Sequence, residues 1–413
     1  MKKLHLFPVV LAVWLLSLCS CQSPSSTPIT LENGTWIGSL QLREGVDLPF
    51  QFSLTKEGEN YQMVIFNAEE RIEVDEIEQT GDSITIKMPV FDSEFKLKIH
   101  SAKEMSGNWY EYTRGVDYHA PFKAELSDAG RFSIKSAAAE LAPLYSLQFL
   151  DGTGPAIGQF SQQGSKVIGN FQTETGDYRF LEGVMDGNLL KLSGFDGSHA
   201  FLFHAEIEGD SISGKFWSGN HWEEAWVGIK DPEASLRTPE ELTILKEGFE
   251  DFTFKFPDLQ GDSVSFRDER FKDKVTIVQL MGSWCPNCMD ETRLFSQWYK
   301  KYQADGLEII GVAFERTSKG MPQAQKNIVR MAKRLKVNYP FLIGAASNDK
   351  SLAAEKFPML NKVISFPTTI FLDKQGQVRK VHTGFNGPGT GHVYTRFVEE
   401  YEAFLEKMLA EEA

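Results

Sequence analysis

The chain of 413 residues carries 43 Lys and Arg against 57 Asp and Glu, a formal net charge of −14. This length predicts two or three domains, and the acidic balance argues against nucleic acid as a partner, because its phosphates are negatively charged too. Aromatic residues make up 12% of the chain, which is enough to build packed cores along most of its length.

The N-terminus has the features of a targeting segment. Two lysines follow Met1, and residues 6–18 are apolar apart from one serine, a length that suits a signal peptide better than a membrane span. The next residues, Leu18-Cys19-Ser20-Cys21, resemble a bacterial lipobox with Cys21 as the lipidated residue. We therefore predict a lipoprotein signal peptide over 1–21 and a flexible tether over 22–30. The alternative is an ordinary cleaved signal peptide with an incidental cysteine.

Residues 31–230 have the pattern of antiparallel β-structure. Alternating runs such as Phe50–Leu54 and Leu189–Leu192 are separated by Gly-Asp-Ser turns at 81–83 and 209–211. Related motifs recur at a spacing of about 104 to 107 residues, which predicts two similar units over 31–135 and 144–230. They would form either two small β-domains or one barrel or sandwich built from a duplicated meander.

Eight aromatic and histidine side chains of this half could line a binding cleft. The simpler interpretation, which we favour, is that they cover a half-exposed sheet, since the histidines show no metal-ligand spacing. These residues are Trp109, Tyr110, Tyr112, His119, Trp217, His221, Trp222 and Trp226.

A linker and a second type of pattern follow. Thr238-Pro239-Glu240-Glu241 has the form of a capping box, which predicts a short linker helix within 231–248. Over 249–413, strands then alternate with helices, which predicts a central sheet with helices on both faces. The glycine-rich loop 384–391 is predicted to be a flexible connection before the last helix. Predicted strands are 275–281, 307–314, 364–372 and 378–383, and predicted helices are 286–303, 322–336, 347–356 and a last one through Phe397 and Met408.

The pentapeptide Trp284-Cys285-Pro286-Asn287-Cys288 lies where a predicted strand meets a predicted helix. Proline suits the first helical position, because its missing N–H would be unpaired there in any case. The free N–H groups and the dipole of a helix N-terminus favour the thiolate form of Cys285. Strand, turn, CxxC and helix together are the local geometry of a thiol–disulfide exchange site.

The last 165 residues or so resemble the thioredoxin fold. Within it they are similar to the extracytoplasmic, membrane-attached reductases of the TlpA/ResA type, a redoxin group related to AhpC/TSA proteins. The matching motifs are the leader at 256–261, the Trp-Cys-Pro-x-Cys site, and Ser365-Phe366-Pro367-Thr368-Thr369. The resemblance does not extend to the β-rich half.

The resemblance implies roles for the two cysteines and their surroundings. Cys285 corresponds to the attacking thiolate and Cys288 to the buried resolving thiol, and the two would form the redox disulfide. Pro367 matches the family's cis-proline, whose loop, with Phe366, offers backbone groups to an extended substrate; the alternative is an ordinary proline at a strand edge. Trp284 would shield the site, and with Pro286 it completes the substrate-binding set.

Two glutamates are also implied. Glu291 matches a carboxylate that lies near the cysteines in the ResA-like group and helps to tune or relay protons. The alternative is a solvated glutamate on the helix surface. Glu315, after the next strand, falls where that group also has an acidic residue.

The resemblance implies an extracytoplasmic thiol–disulfide reductase without cofactor or metal. Its partners would be protein disulfide substrates, a membrane or periplasmic electron donor, and the membrane itself through the lipid anchor. Gln22 in place of aspartate after Cys21 favours the outer membrane of a bacterial cell envelope, with the catalytic domain in the periplasm.

Two alternatives remain for the function. A thiol peroxidase usually carries threonine three residues before the reactive cysteine, where this chain has Gly282. A binding protein would use the β-rich half, with the thioredoxin-like part as a scaffold, although a scaffold does not need an activated cysteine. A zinc site would need two ligands beyond the single CxxC.

Overall fold

The computed structural model describes residues 29–249 and 252–412. The predicted signal peptide, the lipidated Cys21 and nearly all of the tether lie outside the described residues. Within the described part of the chain, no helix is both long enough and apolar enough to cross a membrane.

The first sheet spans residues 34–126 and has nine antiparallel strands in the order β4-β3-β2-β1-β9-β8-β7-β6-β5. Its end strands are consecutive in the chain and separated by Asp75 alone, so the sheet curls back toward itself. The strands are β1 Gly34–Arg43, β2 Val46–Glu57, β3 Asn60–Asn67, β4 Glu70–Val74, β5 Glu76–Thr80, β6 Ser83–Lys87, β7 Ser93–Ser101, β8 Glu104–Glu111 and β9 His119–Leu126.

The second sheet spans residues 144–230 and closes into a barrel, because β11 pairs with β12 as well as with β10. Its order is β11-β10-β18-β17-β16-β15-β14-β12-β13. The strands are β10 Leu144–Phe149, β11 Pro155–Gln163, β12 Lys166–Thr173, β13 Gly176–Asp177, β14 Leu181–Asp186, β15 Leu189–Phe195, β16 Ala200–Glu208, β17 Ser211–Ser218 and β18 Trp222–Lys230.

Each sheet encloses its own aromatic core, because alternate residues along the strands point inward. Phe50 packs in the first core, and Phe171 stacks on Phe203 at 4.0 Å in the second. Phe195, the last residue of β15 in the second sheet, packs in the first core and stacks on Phe50 at 4.6 Å, which joins the two units. The predicted antiparallel β-region is therefore confirmed, as two sheets rather than one.

The eight aromatic and histidine side chains do not form one cleft. Trp109 is a core residue of the first sheet and Trp226 of the second, and both are fully buried. Trp222, in contrast, is among the more exposed large side chains. Neither interpretation made from the sequence holds for the two core tryptophans, because alternation within a strand does not reveal which face is inward.

The C-terminal region has the thioredoxin fold, a five-stranded sheet in the order β23-β22-β21-β24-β25 with helices on both faces. β21 pairs in parallel with β22, and antiparallel with β24. The elements are β19 Lys255–Pro257, β20 Ser263–Ser265, β21 Val275–Met281, α1 Pro286–Tyr302, β22 Leu307–Phe314, α2 Met321–Leu335, β23 Phe341–Ala345, α3 Lys350–Lys356, β24 Thr368–Leu372, β25 Val378–Thr383 and α4 His392–Ala410.

The predicted fold class is confirmed here, and the bounds of most elements agree within a few residues. Every residue of β21 and β22 is buried, as expected for strands covered on both faces. The strand predicted to begin at 364 starts at Thr368 instead, because the residues before it form a loop that contains Pro367.

The predicted linker helix is wrong. Only Pro239–Glu241 forms a 3₁₀ turn, and Thr238 makes no side-chain cap. Glu240 instead contacts the Tyr401 hydroxyl on α4, and Leu245 forms an isolated bridge with Leu360. The contacts of this segment with the thioredoxin-fold region favour an extended path over the helix that the capping-box pattern predicts.

Candidate thiol–disulfide site

The cysteine pair lies at the junction of β21 and α1. Cys285 is the N-cap of α1, and its Sγ accepts a hydrogen bond from the Cys288 backbone N–H at 3.2 Å. The two cysteines form a disulfide bond in this structure. Cys285 is 6% exposed and Cys288 is fully buried, so an attacking reagent reaches Cys285 first.

The local electrostatics favour a thiolate at Cys285 once the disulfide is reduced. Pro286 occupies the first helical position, as the sequence predicts, and leaves the amide of Cys288 directed at the sulfur. A backbone N–H and the positive end of the helix dipole both stabilise a negative charge at this point.

The proline loop lies beside the disulfide. The Phe366–Pro367 peptide bond is cis, and the Phe366 carbonyl oxygen is 3.4 Å from Cys285 Sγ. The Pro367 carbonyl accepts a hydrogen bond from the Gly384 N–H at 2.9 Å. The structure therefore brings the loop together with the CxxC motif, although the two are 81 residues apart in the chain.

Trp284 forms a wall of the site. Its indole N–H donates to the Phe314 carbonyl at 2.9 Å, and its ring meets the Phe366 ring edge-on at 6.2 Å. A Cβ added at Gly282 would collide with the same indole nitrogen. The position at which peroxidases carry threonine therefore has no room for that side chain.

Glu291 is fully buried, so the alternative of a solvated helix glutamate is wrong. Its carboxyl accepts hydrogen bonds from Gln279 Nε2 at 2.8 Å and from the Thr369 hydroxyl at 2.9 Å. Burial raises its pKa from 4.5 to about 8, against the opposing effect of these two bonds. The same Gln279 amide lies 3.3 Å from the Cys288 carbonyl, which connects the glutamate to the resolving cysteine.

Glu315, the residue that follows β22, is a second fully buried carboxyl. It accepts hydrogen bonds from the Ser283 N–H at 2.7 Å and from the Ser283 hydroxyl at 2.6 Å. Burial raises its pKa to about 7. This glutamate anchors the turn that precedes the CxxC motif.

Glu291→Gln is expected to become more stable, relative to the unchanged protein, as the pH rises. The pKa of Glu291 is about 8 in the folded chain and 4.5 at its ordinary value. Between these two pH values, the folded chain therefore keeps a proton that the unfolded chain has lost. The free energy of unfolding of the unchanged protein therefore falls with pH there, by on the order of a few kcal/mol. Urea denaturation of both proteins at pH 5, 7 and 9 measures the difference.

Glu315→Gln is the matched comparison. Its gain in stability over the unchanged protein is expected to reach its full value at a lower pH than the gain of Glu291→Gln, because the pKa of Glu315 rises only to about 7. A stability difference between Glu291→Gln and the unchanged protein that stays constant from pH 5 to 9 would contradict the raised pKa.

The β-rich half covers this site directly. The Ser365 hydroxyl donates to the Thr175 carbonyl at 2.9 Å, and Asn287 Nδ2 donates to the Asp177 carbonyl at 3.1 Å. The Ser198 hydroxyl donates to the Trp284 carbonyl at 3.0 Å. We call residues 175–179 and 196–198 the covering segments, since they contact both the CxxC motif and the proline loop.

Arg179 is the charged centre of this cover. Its guanidinium contacts Asp290 on α1 and Glu70 on the first sheet, lies 3.6 Å from Asp196, and donates to the Pro286 carbonyl at 3.3 Å. Burial opposes its charge, but the surrounding carboxylates raise its pKa overall. One side chain thus ties both sheets to the first turn of the CxxC helix.

The loop 384–391 is not the flexible connection that the sequence predicts. The Phe385 carbonyl accepts a hydrogen bond from Asn287 Nδ2 at 3.2 Å, and the Gly387 N–H donates to Asp177 Oδ1 at 2.9 Å. Phe385 and Thr390 are buried. Contacts with the barrel, which local sequence does not reveal, hold this loop in place.

The structure brings together the cysteines, Trp284, the proline loop and both glutamates that the sequence predicted, and it adds the covering residues, which the sequence did not predict. Asp290 has the pattern of a surface residue next to the motif, and Arg179 lies in a strand-rich region more than a hundred positions away. No pattern in a single sequence indicates that Asp290 and Arg179 form an ion pair. Gln279 gave one indication, because it is a polar residue with a long side chain inside a mainly apolar strand.

Comparison with known proteins matches the C-terminal region to a known family. Residues 247–381 match the model of the AhpC/TSA family. The thiol–disulfide oxidoreductase ResA of Halalkalibacterium halodurans is 26% identical over 142 residues, which are 34% of this chain and 71% of the relative. The thioredoxin-like protein YneN of Bacillus subtilis is 27% identical over 140 residues, 34% of this chain and 73% of that protein.

Among solved structures, a thiol:disulfide interchange protein of the thioredoxin family from Chlorobium tepidum matches over 43% of this chain and 100% of its own, at 18% identity and a TM-score of 0.30. The two curated relatives leave about two thirds of this chain unmatched. The C-terminal region is thus related in sequence to thiol–disulfide oxidoreductases.

Proposed function

We propose that this chain is an extracytoplasmic thiol–disulfide oxidoreductase that reduces disulfide bonds of exported proteins through Cys285 and Cys288. The observation that carries the proposal is the placement of Cys285 Sγ between the N-terminal amides of α1 and the Phe366 carbonyl. The amides at the N-terminus of α1 stabilise the Cys285 thiolate. An extended substrate would bind beside the Phe366 carbonyl.

The reaction proceeds in two exchanges. The Cys285 thiolate attacks one sulfur of the substrate disulfide, forms a mixed disulfide, and releases the other substrate sulfur as a thiolate that takes up a proton. The Cys288 thiolate then attacks Cys285 Sγ and releases the second substrate thiol. Two electrons pass from the enzyme dithiol to the substrate, and another protein must reduce the Cys285–Cys288 disulfide again.

Glu291 supports the resolving step by position. It keeps its proton near neutral pH, since its pKa is about 8, and Gln279 connects it to the turn that carries Cys288. Its hydrogen bonds within the described chain go to Gln279 and Thr369 and not to either sulfur. We assign it to holding this turn through its hydrogen bonds, in place of direct proton transfer.

The location belongs to the same proposal. The positive start, the apolar stretch and the lipobox-like sequence ending at Cys21 support export and a lipid anchor on the bacterial cell envelope. The electron donor would then be a membrane or periplasmic protein. The peroxidase alternative is disfavoured, because Trp284 occupies the space that a threonine at position 282 would need.

The reduction potential of the Cys285–Cys288 pair tests the direction of electron flow. We expect a value near that of thioredoxin, roughly −270 mV, when the full chain is equilibrated in graded thiol buffers and trapped with an alkylating reagent. A value near the oxidising extreme, roughly −120 mV, would instead make the protein an oxidase or isomerase. A pair that never exchanges would overturn the proposal altogether.

A further inference from the structure

The Arg316 side chain is held at the active site without a partner of its own. Its guanidinium lies over the Trp284 ring, 4.2 Å from the ring centroid. The indole is itself fixed by its bond to the Phe314 carbonyl. Arg316 is partly buried, yet it makes no hydrogen bond or ion pair with any residue in the ranges 29–249 and 252–412.

An unpaired guanidinium in such a place is unusual. Burying a charge is costly unless hydrogen bonds or an opposite charge compensate, and burial accordingly lowers the pKa of Arg316 to about 10. Stacking on an aromatic face recovers part of that cost but leaves the five N–H donors unused. The guanidinium is therefore a hydrogen-bond donor that has no acceptor within the described chain.

The surroundings of Arg316 are electropositive, although the chain as a whole carries −14. Arg114, on the loop after β8, and Lys350, at the start of α3, both interact electrostatically with it. His221 and His199 also interact electrostatically with Arg316, and burial lowers the pKa of both histidines below the ordinary value. The cluster draws on both sheets and the thioredoxin-fold region.

Two carboxylates lie near this cluster, and both are already engaged. Glu111 is paired with Arg114 at 3.1 Å and bonded to the Thr113 amide. Asp196 accepts from the Ser198 and His199 amides, and lies close to Arg179. Neither is within ion-pair distance of Arg316 in the described chain. The Glu111 charge acts on Arg316 from further away, but no carboxylate of the described residues pairs with it.

Arg316 is connected to the reacting sulfur through two aromatic residues of the site. Its guanidinium covers Trp284, the Trp284 ring contacts Phe366, and the Phe366 carbonyl is 3.4 Å from Cys285 Sγ. The covering segments contact the motif at the Asn287 side chain and at the Pro286 and Trp284 carbonyls, and none of these contacts involves the Trp284 ring. A substrate that reaches Cys285 along the Trp284 side would therefore present its flanking residue to Arg316.

We propose that Arg316, supported by Arg114 and Lys350, is a specificity subsite for a carboxylate that flanks the disulfide of the substrate. The preferred substrates are then disulfides with an acidic residue next to the attacked cysteine. The planar guanidinium suits a carboxylate, which it can bind through two parallel N–H donors. This inference rests on the proposed function, since it assigns the substrate class of the same site.

The test compares two short peptides that differ in one group, Asp or Asn beside a single cysteine. Each cysteine is disulfide-bonded to the uncharged 2-thiopyridyl group. In the reduced full chain, the Cys285 thiolate attacks the peptide sulfur and expels the thiopyridyl anion, which takes up a proton. Cys288 then displaces the peptide thiolate, and two electrons have passed from the dithiol to the peptide disulfide. Stopped-flow absorbance follows the thiopyridyl product.

The unchanged protein is expected to react about tenfold faster with the Asp peptide than with the Asn peptide, at subsaturating concentration and low salt. Arg316→Gln should bring this ratio close to one, because the rate with the Asp peptide falls toward the rate with the Asn peptide. Arg316→Lys should recover part of the preference, because it keeps the charge but not the planar fork. Arg267→Gln removes the same charge at an exposed position of the same region and should keep the full preference.

The outcomes separate the two proposals. Equal rates of the unchanged protein with both peptides overturn the carboxylate subsite and leave the oxidoreductase intact. A preference that persists in Arg316→Gln also overturns it, because the recognition then lies elsewhere. Failure to reduce either peptide overturns the subsite together with the proposed function. The rate with the Asn peptide shows in each case whether a variant is folded and reactive.

Discussion

Cys285→Ser is expected to lower the rate of disulfide exchange by on the order of 10⁴-fold or more, to the level of the uncatalysed reaction. The reason is that the thiolate is the nucleophile, and that Cys288 is fully buried and cannot take over the attack on a substrate. The measurement is single-turnover reduction of a peptide disulfide by the reduced variant, with the unchanged protein run in parallel.

Cys288→Ser provides the matched control, because it removes the other sulfur and leaves the nucleophile in place. This variant should attack the substrate at a near-normal rate and then stop as a stable mixed disulfide through Cys285, visible as an intact adduct by mass spectrometry. An adduct that forms equally fast on Cys288 in the Cys285→Ser variant would contradict the assigned order of attack.

Arg179→Met is expected to have the second large effect. Removing one partner of a buried ion cluster leaves uncompensated charges, which lowers the free energy of unfolding by about 3 to 5 kcal/mol. Here the carboxylates of Asp290, Glu70 and Asp196 would remain buried around an apolar side chain. We further expect the cover over the CxxC helix to loosen, so that reduced Cys285 is alkylated about tenfold faster.

Urea denaturation and the rate of alkylation measure these two effects separately. Arg237→Met is the control. Arg237 pairs with one carboxylate, that of Glu174, and its own side chain is exposed, where such a pair contributes at most about 1 kcal/mol. If Arg179→Met were no less stable than Arg237→Met, the buried cluster would not be holding the β-rich half against the site.

The C-terminal fold could be predicted from the sequence because the patterns that indicate its strands and helices are local. The mainly apolar runs at 275–281 and 307–314 are flanked by helical patterns, and the strands there have the predicted bounds. The CxxC motif similarly contains its own context, with the proline at the first helical position. Local patterns of this kind need no knowledge of distant contacts.

The cover over the site could not be predicted for the opposite reason. Arg179 and Asp290 are 111 residues apart, and nothing in the neighbourhood of either one indicates the other. The linker near Thr238 and the loop 384–391 failed similarly, since tertiary contacts override weak local propensities. Burial of Glu291 was also undetermined, because a helix glutamate beside a polar neighbour has the pattern of a surface residue.

The buried carboxylate of Asp290 limits how this protein can diverge by exchange of domains. In this chain it is neutralised by an arginine that belongs to a different folding unit. A thioredoxin-fold unit inherited alone would present Asp290 to water beside its reactive cysteine, and a barrel inherited alone would keep a guanidinium with part of its counter-charge missing. The two halves are therefore expected to be inherited as one piece, with Arg179 and Asp290 lost or retained together.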